Sequence, residues 1–385
     1  MITRILTTED FEQFAQVSAC AYIHPAGETE FDESKTIFGA FIDEGKTLIS
    51  QIESDLRGSI YCGQEILCTA AGGVASKPQY RRLGGVRAAF NALFEHSVKN
   101  NAVVSILYPF SIEYYRKFGY ENIFKYFHLT CSFRVLEKTD RYFNLTLAEK
   151  EHTAEIIDVY RKVANKSNMM FARNSSDKFM LTPYENMTYT YFLNDGDSAG
   201  YACIVPKRET RTVTVRELLF TDAAALLKLL GFLRTYEGNY DTLIFDKLPS
   251  NTPVFNFLTD ENKYIERKLC YNGAGRIINA EELLKANKYP TEKGSFSIKI
   301  TDEQITQNNG IFTVDYENGN CTVKKNVTET YDLSVDILAA ARLLMGREGL
   351  TAEELSFIPG VQLKSDCADF IRAFPRRATQ FNDDF

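Results

Sequence analysis

The sequence contains no tryptophan, and its 4 histidines and 8 cysteines are spread thinly over 385 residues. No two cysteines have the C-x-x-C spacing that is typical of structural zinc sites. Their scatter also disfavours a disulfide framework. We therefore expect reduced thiols, most of them buried, and no bound metal.

Long apolar runs and an excess of basic residues are also missing. No stretch reaches the roughly 18 apolar residues that a membrane-spanning helix needs, and the start MITRILTTEDFEQF has acidic residues where a secretory leader would be apolar. The net charge of −7 disfavours binding to nucleic acid, which requires many cations against phosphates. These features predict a cytoplasmic protein that binds neither membrane nor nucleic acid, and the negative charge suits a cationic ligand.

The composition that remains, 44% hydrophobic and 25% charged, is ordinary for a globular protein. A chain of this length is too long for a single hydrophobic core, so we expect two or three domains. The first segment reads as α+β with one mixed sheet: a strand at TRIL, a helix after it, and two strands in GSIYCGQEILCTAAGGVAS. The strand AVVSILYPF, the short helix SIEYYRKFGY and a last strand KYFHLTCSFRV complete this unit.

A second segment repeats this plan from LTLAEKEHTAEIIDVYRKVANK onwards. Its turn between strand and helix, FTDAA, carries neither arginine nor glycine. After the polar connector NKYPTEKGS, three alternating strands and the helix SVDILAAARLLMG predict a small α+β domain. The predicted units are residues 1–143, 144–288 and 289–385.

The stretch VASKPQYRRLGGVRAAF, Val74 to Phe90, is the most informative part of the first unit. A strand leads through a turn rich in arginine and glycine into a helix whose apolar positions follow the i, i+3, i+4 rhythm. Such a helix start presents free N–H groups and a positive dipole end, which favour a phosphate or pyrophosphate. The alternative is a solvated basic turn before an ordinary helix, since short glycine motifs are weak evidence.

The order of strand, KPQYRRLGGVR, helix, strand and YYRKFGY resembles the GNAT family of acyl-CoA-dependent N-acetyltransferases, whose pyrophosphate loop has the form R/Q-x-x-G-x-G/A. The run from Arg81 to Val86 matches the first four positions and has Val86 where glycine or alanine is usual. A GNAT unit, a GNAT-like unit without the loop and a C-terminal domain similar to sterol carrier protein together resemble the Eis (enhanced intracellular survival) acetyltransferases. The pieces PQYRRLGGVR, LYPFSIEYYRKFGYE and QFNDDF are the most specific.

The resemblance covers the whole chain and implies an α+β fold: tandem GNAT-like mixed-sheet domains followed by a small sterol-carrier-protein-like domain. It also implies acetyl-CoA as co-substrate. The residues it assigns to this co-substrate are Val74, Ala75, Ser76, Arg82, Leu83, Gly84, Gly85, Val86, Arg87, Phe110 and Ser111. The backbone N–H of Val74 is a candidate oxyanion donor, by position alone.

Two catalytic roles are implied by the resemblance. Tyr115 corresponds to the family's general acid, and the carboxylate of the last residue, Phe385, corresponds to its general base. The acid before it, Asp384, is the candidate for binding substrate. From local composition alone, Tyr115 would be read as a packed aromatic and FNDDF as a frayed acidic tail. Cys68 lies just before the cofactor strand but reads as a core residue.

These features predict an N-acetyltransferase that acetylates primary amines of a cationic, aminoglycoside-like substrate by direct attack in a ternary complex. One alternative acceptor is a lysine or N-terminal amine of a protein or peptide. Another alternative is a non-catalytic protein that binds an apolar ligand in its C-terminal domain. The resemblance further implies a homo-oligomer, a hexamer.

Overall fold

The computed structural model describes residues 1–259 and 261–383. The chain begins with seven strands and three helices. The strands are β1 (Ile2–Ile5), β2 (Thr36–Ile42), β3 (Thr47–Tyr61), β4 (Gln64–Ser76), β5 (Val104–Leu107), β6 (Glu121–Asn122) and β7 (Lys125–Ser132). The helices are α1 (Phe11–Tyr22), α2 (Gly85–Lys99) and α3 (Ile112–Arg116).

The middle of the chain contributes eight strands and four helices. The strands are β8 (Thr146–Leu147), β9 (Met170–Phe171), β10 (Tyr189–Asp195), β11 (Ser198–Lys207), β12 (Thr212–Phe220), β13 (Thr242–Pro249), β14 (Ile265–Tyr271) and β15 (Ala274–Ile277). The helices are α4 (Thr153–Ala164), α5 (Pro183–Asn186), α6 (Ala223–Leu233) and α7 (Glu261–Tyr264).

The last part contains β16 (Gly294–Thr301), β17 (Gly310–Glu317), β18 (Asn320–Lys325), β19 (Leu333–Asp336) and β20 (Val361–Leu363). Its helices are α8 (Ala280–Lys285), α9 (Ile337–Ala340), α10 (Ala352–Ser356) and α11 (Ala368–Ala373), with a π-helical turn at Ala341–Met345 after α9. Short 3-10 turns occupy Thr8–Asp10, Ala26–Glu28, Asp43–Gly45, Pro78–Tyr80, Phe133–Leu136, Lys150–His152, Ser176–Lys178, Arg234–Tyr236, Pro253–Phe257 and Thr306–Asn308.

Most predicted elements are confirmed, including the hairpin that became β3 and β4 and the amphipathic helix α2. Along α2 the buried positions include Ala89, Phe90, Leu93 and Phe94, which lie on one face. The helix SVDILAAARLLMG ends at Gly346 as predicted, although its second half is π-helical. The predicted α+β class with mixed sheets is therefore correct.

The sheets are built from strands that cross the predicted unit boundaries. The first sheet has the order β1-β2-β3-β4-β5-β15-β6, with β9 paired to β3. The second has the order β14-β7-β13-β12-β11-β10-β8, and the third β18-β17-β16-β19-β20. The first two sheets thus exchange strands, β7 going to the second and β15 to the first.

The exchange corrects one prediction. KYFHLTCSFRV was expected to be the last strand of the first unit, but β7 pairs along its length with β14 and β13. The place beside β5 is taken by β15, which comes about 170 residues later in the chain and pairs Ala274 with Leu107. The division at residues 143 and 288 stays a prediction.

The third sheet shares a core with the first. One hydrophobic cluster joins Cys68 and Ile106 of the first sheet to Ile298 and Leu333 of the third. A buried ion pair reinforces this junction, since Arg276 of β15 donates to Asp302 over 2.8 Å and both side chains are fully buried. The C-terminal domain is therefore packed against the first sheet through a shared core. Among the described residues, no helix is long and apolar enough to cross a membrane.

Candidate active site

The first sheet opens between two parallel strands. Residues 68–70 of β4 pair with residues 104–106 of β5, and β4 then continues to Ser76 while β5 ends at Leu107. In the described part of the chain, no strand pairs with this side of β4 beyond Ala70. In open α/β sheets, ligands bind at the carboxyl ends of parallel strands, where such an opening exposes backbone groups.

A β-bulge lies within the opening. Glu53 pairs with Gly72 and Gln51 with Ala75, so Gly73 and Val74 together face a single residue of β3. Gly73 has φ +55, and a Cβ added to it would lie 2.3 Å from the Glu53 carboxylate, so this position needs glycine. A bulge leaves its extra residue outside the ladder of hydrogen bonds and changes the direction of the backbone groups there. The bulge includes Val74, whose N–H is the predicted oxyanion donor.

The turn before α2 has the geometry of an anion cradle. Gly84 is the N-cap of α2 with φ +86, and no side chain among the described residues caps the helix. A Cβ added at Gly84 would meet nothing within 4 Å, so glycine serves backbone conformation and leaves open space above the helix start. The uncapped N–H groups and the dipole of this 15-residue helix fit a pyrophosphate.

The neighbouring residues complete the cradle. Gly85 allows close packing on β3, since an added Cβ would lie 2.4 Å from the Ser50 Oγ. Arg82, Leu83 and Arg87 are exposed, and Arg82 has φ +68, which is rare for a residue with a side chain. The Arg87 guanidinium lies over the Phe118 ring at 5.7 Å, which leaves its N–H groups available.

Phe110, Ser111 and Tyr115 lie together at the other side of the opening. The Phe110 side chain is 75% exposed, and its ring meets the Tyr115 ring edge-on with 5.4 Å between centroids. The Ser111 carbonyl accepts the N–H of Tyr115 over 3.3 Å as α3 begins. Tyr115 packs in the same core cluster as Val74 and Val86, so the structure brings the predicted acid, the bulge and the cradle together.

The environment of Tyr115 keeps its hydroxyl protonated. The side chain is only 3% exposed, and burial, followed by the neighbouring Tyr22 and Tyr114, raises its pKa above the usual value. Tyr22 is a residue that sequence reasoning missed. Its hydroxyl donates to the Val74 carbonyl over 3.3 Å, and only its place at the end of an amphipathic helix could have indicated this.

The C-terminal segment runs between the first two sheets. The N–H of Asn168 donates to the Ala378 carbonyl over 2.7 Å, and the N–H of Gln380 donates back to the Asn168 carbonyl over 3.1 Å. Phe381 is buried, and its ring stacks on Phe124 with 5.0 Å between centroids. Up to Asp383 the segment is therefore docked, which differs from a frayed tail. Asp384 and Phe385 lie outside the described residues.

Asp383 links the two sheets. Tyr108, which directly follows β5, donates its hydroxyl to the Asp383 carbonyl over 2.7 Å. The Asp383 carboxylate accepts from the Nε of Arg173 over 2.8 Å. The remaining nitrogens of Arg173 donate to both carboxylate oxygens of Glu217 on β12, over 2.8 and 3.0 Å.

This buried cluster, Arg173, Glu217 and Asp383, has one cation for two carboxylates. Burial pushes the pKa of Glu217 upward, but Arg173 and the Tyr201 hydroxyl outweigh burial, so that pKa is lowered. Burial dominates at Asp383, which receives a single Arg173 N–H, and raises its pKa. Neither Arg173 nor Glu217 carries a sequence motif, so their role could be found only from the fold.

A cavity of about 360 Å³ adjoins this cluster on the second sheet. It lies where β12 and β13 separate beyond Val215 and Phe245, the counterpart of the opening in the first sheet. Its charged lining consists of Arg173, Asp177, Lys178, Arg216, Glu217, Asp246, Lys247 and Asp383. Among the described lining residues, four are acidic and four are basic.

In the second sheet, β12 carries a bulge at Arg216 and leads into α6, but a side chain already caps the start of this helix. Asp222 is the N-cap of α6, and its carboxylate accepts the N–H of Ala225 over 2.8 Å. The capping carboxylate occupies the position that a phosphate takes at α2 and would repel it. The described residues contain no group of three or more His, Cys, Asp or Glu side chains that could hold a metal ion.

Family comparisons match three consecutive parts of the chain. GNAT acetyltransferase domains match residues 3–123 and 168–277, which together are more than half of the chain. A sterol carrier protein domain matches residues 280–382. None of the curated proteins compared with the chain matches it.

Solved structures share the fold over the entire chain. A probable N-acyltransferase from Enterococcus faecalis V583 superposes with a TM-score of 0.82 at 20% identity, covering 100% of this chain and 99% of that one. A GCN5-related N-acetyltransferase from Anabaena variabilis gives 0.81 at 16% identity, covering 100% of both chains. Eis1 from Mycobacterium abscessus gives 0.80 at 19% identity, again over 100% of both chains. With two GNAT domains, a sterol carrier protein domain and the fold of Eis1, this chain belongs to the GNAT acetyltransferases and is Eis-like in architecture.

Proposed function

We propose that this acetyltransferase passes the acetyl group of acetyl-CoA directly to a primary amine, with both substrates bound at once. The observation that carries the proposal is the uncapped start of α2 beside the open edge of β4, with Tyr115 in the same side-chain cluster. GNAT domains generally use acetyl-CoA. The proposed contacts are the pantetheine arm along Val74, Ala75 and Ser76, and the pyrophosphate on residues 82–87, with Phe110 and Ser111 closing the cleft.

The proposed reaction replaces a C–S bond by a C–N bond and moves one proton from nitrogen to sulfur. The amine nitrogen attacks the thioester carbonyl, the C–S bond breaks, the nitrogen loses a proton and the CoA sulfur gains one. Negative charge develops on the carbonyl oxygen during attack, and the backbone N–H of Val74 in the bulge is the proposed donor to it. Tyr115 is the proposed donor to the departing sulfur.

The proton on the acceptor constrains this mechanism. An alkyl ammonium has a pKa of about 10.4 and a terminal carboxylate about 3.5, so removal of the proton before attack is strongly uphill. The acceptor must first lose one ammonium proton to solvent so that its lone pair can attack. We propose that the enzyme's base takes the second proton as the N–C bond forms, when the nitrogen is more acidic. The proposed base is the Phe385 carboxylate and the proposed acceptor ligand is Asp384. What supports them is the docking of the chain as far as Asp383.

Two acceptor classes compete. Family resemblance favours an aminoglycoside-like polycation, whereas the equal numbers of acids and bases among the described lining residues of the cavity favour a lysine or N-terminal amine of a peptide. The non-catalytic alternative gains no support from the apolar pocket between Leu343, Leu355 and Phe374 in the C-terminal domain. That pocket measures about 10 Å³, far below the volume of a lipid.

The experiment that tests the proposed function measures acetyl-CoA binding and acetyl transfer to a panel of primary amines by CoA release and product mass. Transfer that needs both substrates, with intersecting initial-rate patterns, supports the ternary complex. Parallel patterns, or an acetylated enzyme that forms without acceptor, would contradict it. The proposed homo-hexamer is tested separately by mass in solution.

A further inference from the structure

The cavity between β12 and β13 has an unusual arrangement of charge for a site that takes amines. Of its four carboxylates, Glu217 and Asp383 are held by Arg173. Asp246 faces His128, with 3.4 Å between its Oδ1 and the histidine Nδ1. Asp177 has no such partner within the described residues.

The basic residues of the cavity form fewer salt bridges than its acidic residues. Lys178, Arg216 and Lys247 line it, and within residues 1–259 and 261–383 none of the three forms a salt bridge. Arg216 is exposed and Lys247 half-buried, on the facing strands β12 and β13 just beyond the last paired residues. Where the two strands separate, these two cations and the buried carboxylates of Glu217 and Asp383 therefore line one cavity.

The charges that the described residues place in this cavity suit an acceptor with charges of both signs. Lys178, Arg216 and Lys247 have no salt-bridge partner among these residues and would repel the ammonium groups of a polycation. An acceptor with one amine and one carboxylate has a partner for each charge, because the amine can face Asp177 and the carboxylate can face Arg216 and Lys247. Phe179 and Met180 line the same cavity and provide apolar surface for the carbon chain between the two charges.

The cavity is connected to the proposed transfer site. Lys247 lies over the Tyr108 ring at 5.8 Å, and Tyr108 donates to Asp383. Tyr108 follows β5 and precedes Phe110 of the proposed acetyl-CoA cleft by two residues. An acceptor in the cavity would therefore lie close to Tyr108, two residues before the proposed acetyl-CoA cleft at Phe110.

We infer that the acceptor is a primary amine that also carries a carboxylate, such as an amino acid or a short peptide with a free C-terminus, bound in the cavity between β12 and β13. This inference rests on the proposed function. It specifies a substrate class for the second sheet's opening and gives Arg216 and Lys247 a binding role there.

The test uses the full chain with acetyl-CoA and acceptors that differ in one group. Lysine, lysine amide and cadaverine form one series, and a dipeptide and its C-terminal amide form a second, with spermidine and an aminoglycoside as polycations. Because a hydrogen bond to a charged group is lost with the carboxylate, kcat/KM should fall about ten- to a hundredfold from acid to amide. Equal values for acid and amide, or a preference for the polycations, would overturn the inference.

Variants separate the inference from the proposed function. The double variant R216Q/K247Q should bring the acid-to-amide ratio of kcat/KM close to one. Arg211→Gln, in the turn directly before β12 and paired with Asp241, should keep the wild-type ratio. An unchanged ratio in the double variant would refute the binding role. If amines are acetylated without regard to the carboxylate, the inference fails and the function stands. If no amine in the panel is acetylated, both fail.

Discussion

The Nε of Arg173 lies 2.8 Å from the Oδ1 of Asp383, so a side chain between the two GNAT sheets holds the C-terminal segment of the sterol carrier protein domain. Arg173 is 7% exposed and stacks on Tyr160, with 4.4 Å from its Cζ to the ring centroid. The same guanidinium forms a salt bridge with Glu217. Three parts of the chain thus meet at one buried cation.

Replacement of this cation should be costly. Arg173→Met leaves Glu217 and Asp383 buried without a counter-charge, so we expect a loss of about 3–5 kcal/mol in the free energy of unfolding. Turnover should fall as Asp383 is released, while acetyl-CoA affinity stays unchanged. Denaturant unfolding, steady-state kinetics and calorimetry measure these three quantities.

The matched control for that variant is Arg211→Met, since the Arg211–Asp241 pair is exposed on both sides. Loss of an exposed pair changes stability little. Equal effects of the two variants would show that the cluster around Arg173 has no special role.

The cradle at α2 should bind the pyrophosphate through Arg82 and Arg87. Alanine at both positions removes two charge-assisted donors from an exposed turn, so acetyl-CoA affinity should fall about tenfold or more while the fold is kept. Calorimetry measures the affinity. Arg161→Ala, exposed on α4, is the control, and unchanged affinity in the double variant would rule out the pyrophosphate assignment.

Only one of the two GNAT domains should bind CoA. The Asp222 carboxylate already caps α6, and its charge opposes an anion at that helix start. Titration to saturation should therefore give one CoA equivalent per chain by calorimetry. A stoichiometry of two would show that a capped helix start still accepts the cofactor.

Tyr115 should donate a proton throughout the working range of the enzyme. Burial raises its pKa above the usual value of about 10, so the hydroxyl is protonated below that pH and ionises only above it. The wild-type rate should therefore rise as the acceptor amine loses its proton and should not decline before pH 10. Tyr115→Phe should lower kcat by about a hundredfold with acetyl-CoA affinity unchanged.

A declining limb below pH 10 that disappears in Tyr115→Phe would contradict this protonation state. Tyr114→Phe is the control, since Tyr114 is the adjacent tyrosine on the same short helix and is not assigned to the reaction. It should retain most of the wild-type turnover.

The sequence predicted where helices and strands occur better than it predicted which strands pair with each other. Periodicity and turn residues place α2 and the β3–β4 hairpin because these depend on neighbouring residues. The exchange of β7 and β15 depends on pairing between residues far apart in the chain. A strand of four residues such as Ala274–Ile277 has too little sequence pattern to predict which strand it pairs with. Elements with a clear local pattern were therefore predictable, whereas the sheet membership and some strands, such as Thr36–Ile42, were not.

The site shows the same division. The Gly84–Gly85 turn can be recognised in the sequence because both positions favour glycine: Gly84 has a left-handed backbone conformation, and Gly85 packs closely against Ser50. Asp222, which caps α6, is the acidic residue of the turn FTDAA and is visible in the sequence. Arg173, by contrast, lies in a stretch without periodicity, and its burial against Glu217 and Asp383 follows only from the packing of two sheets and the C-terminal segment.

The last prediction concerns the end of the sequence, where Phe385 is proposed to supply the base. Attaching one further residue converts the Phe385 carboxylate into an amide and moves the new carboxylate by roughly 3.5 Å. Proton transfer needs hydrogen-bond reach, so turnover should be largely lost in the extended chain and also when Phe385 is deleted. Acetyl-CoA affinity and thermal stability should change little, because Phe381 and Asp383 keep the segment docked. Kinetics, calorimetry and thermal unfolding are compared with a chain extended by the same residue at its N-terminus. Full activity with a C-terminal extension would refute the role of the carboxylate and leave the docked segment a purely structural one.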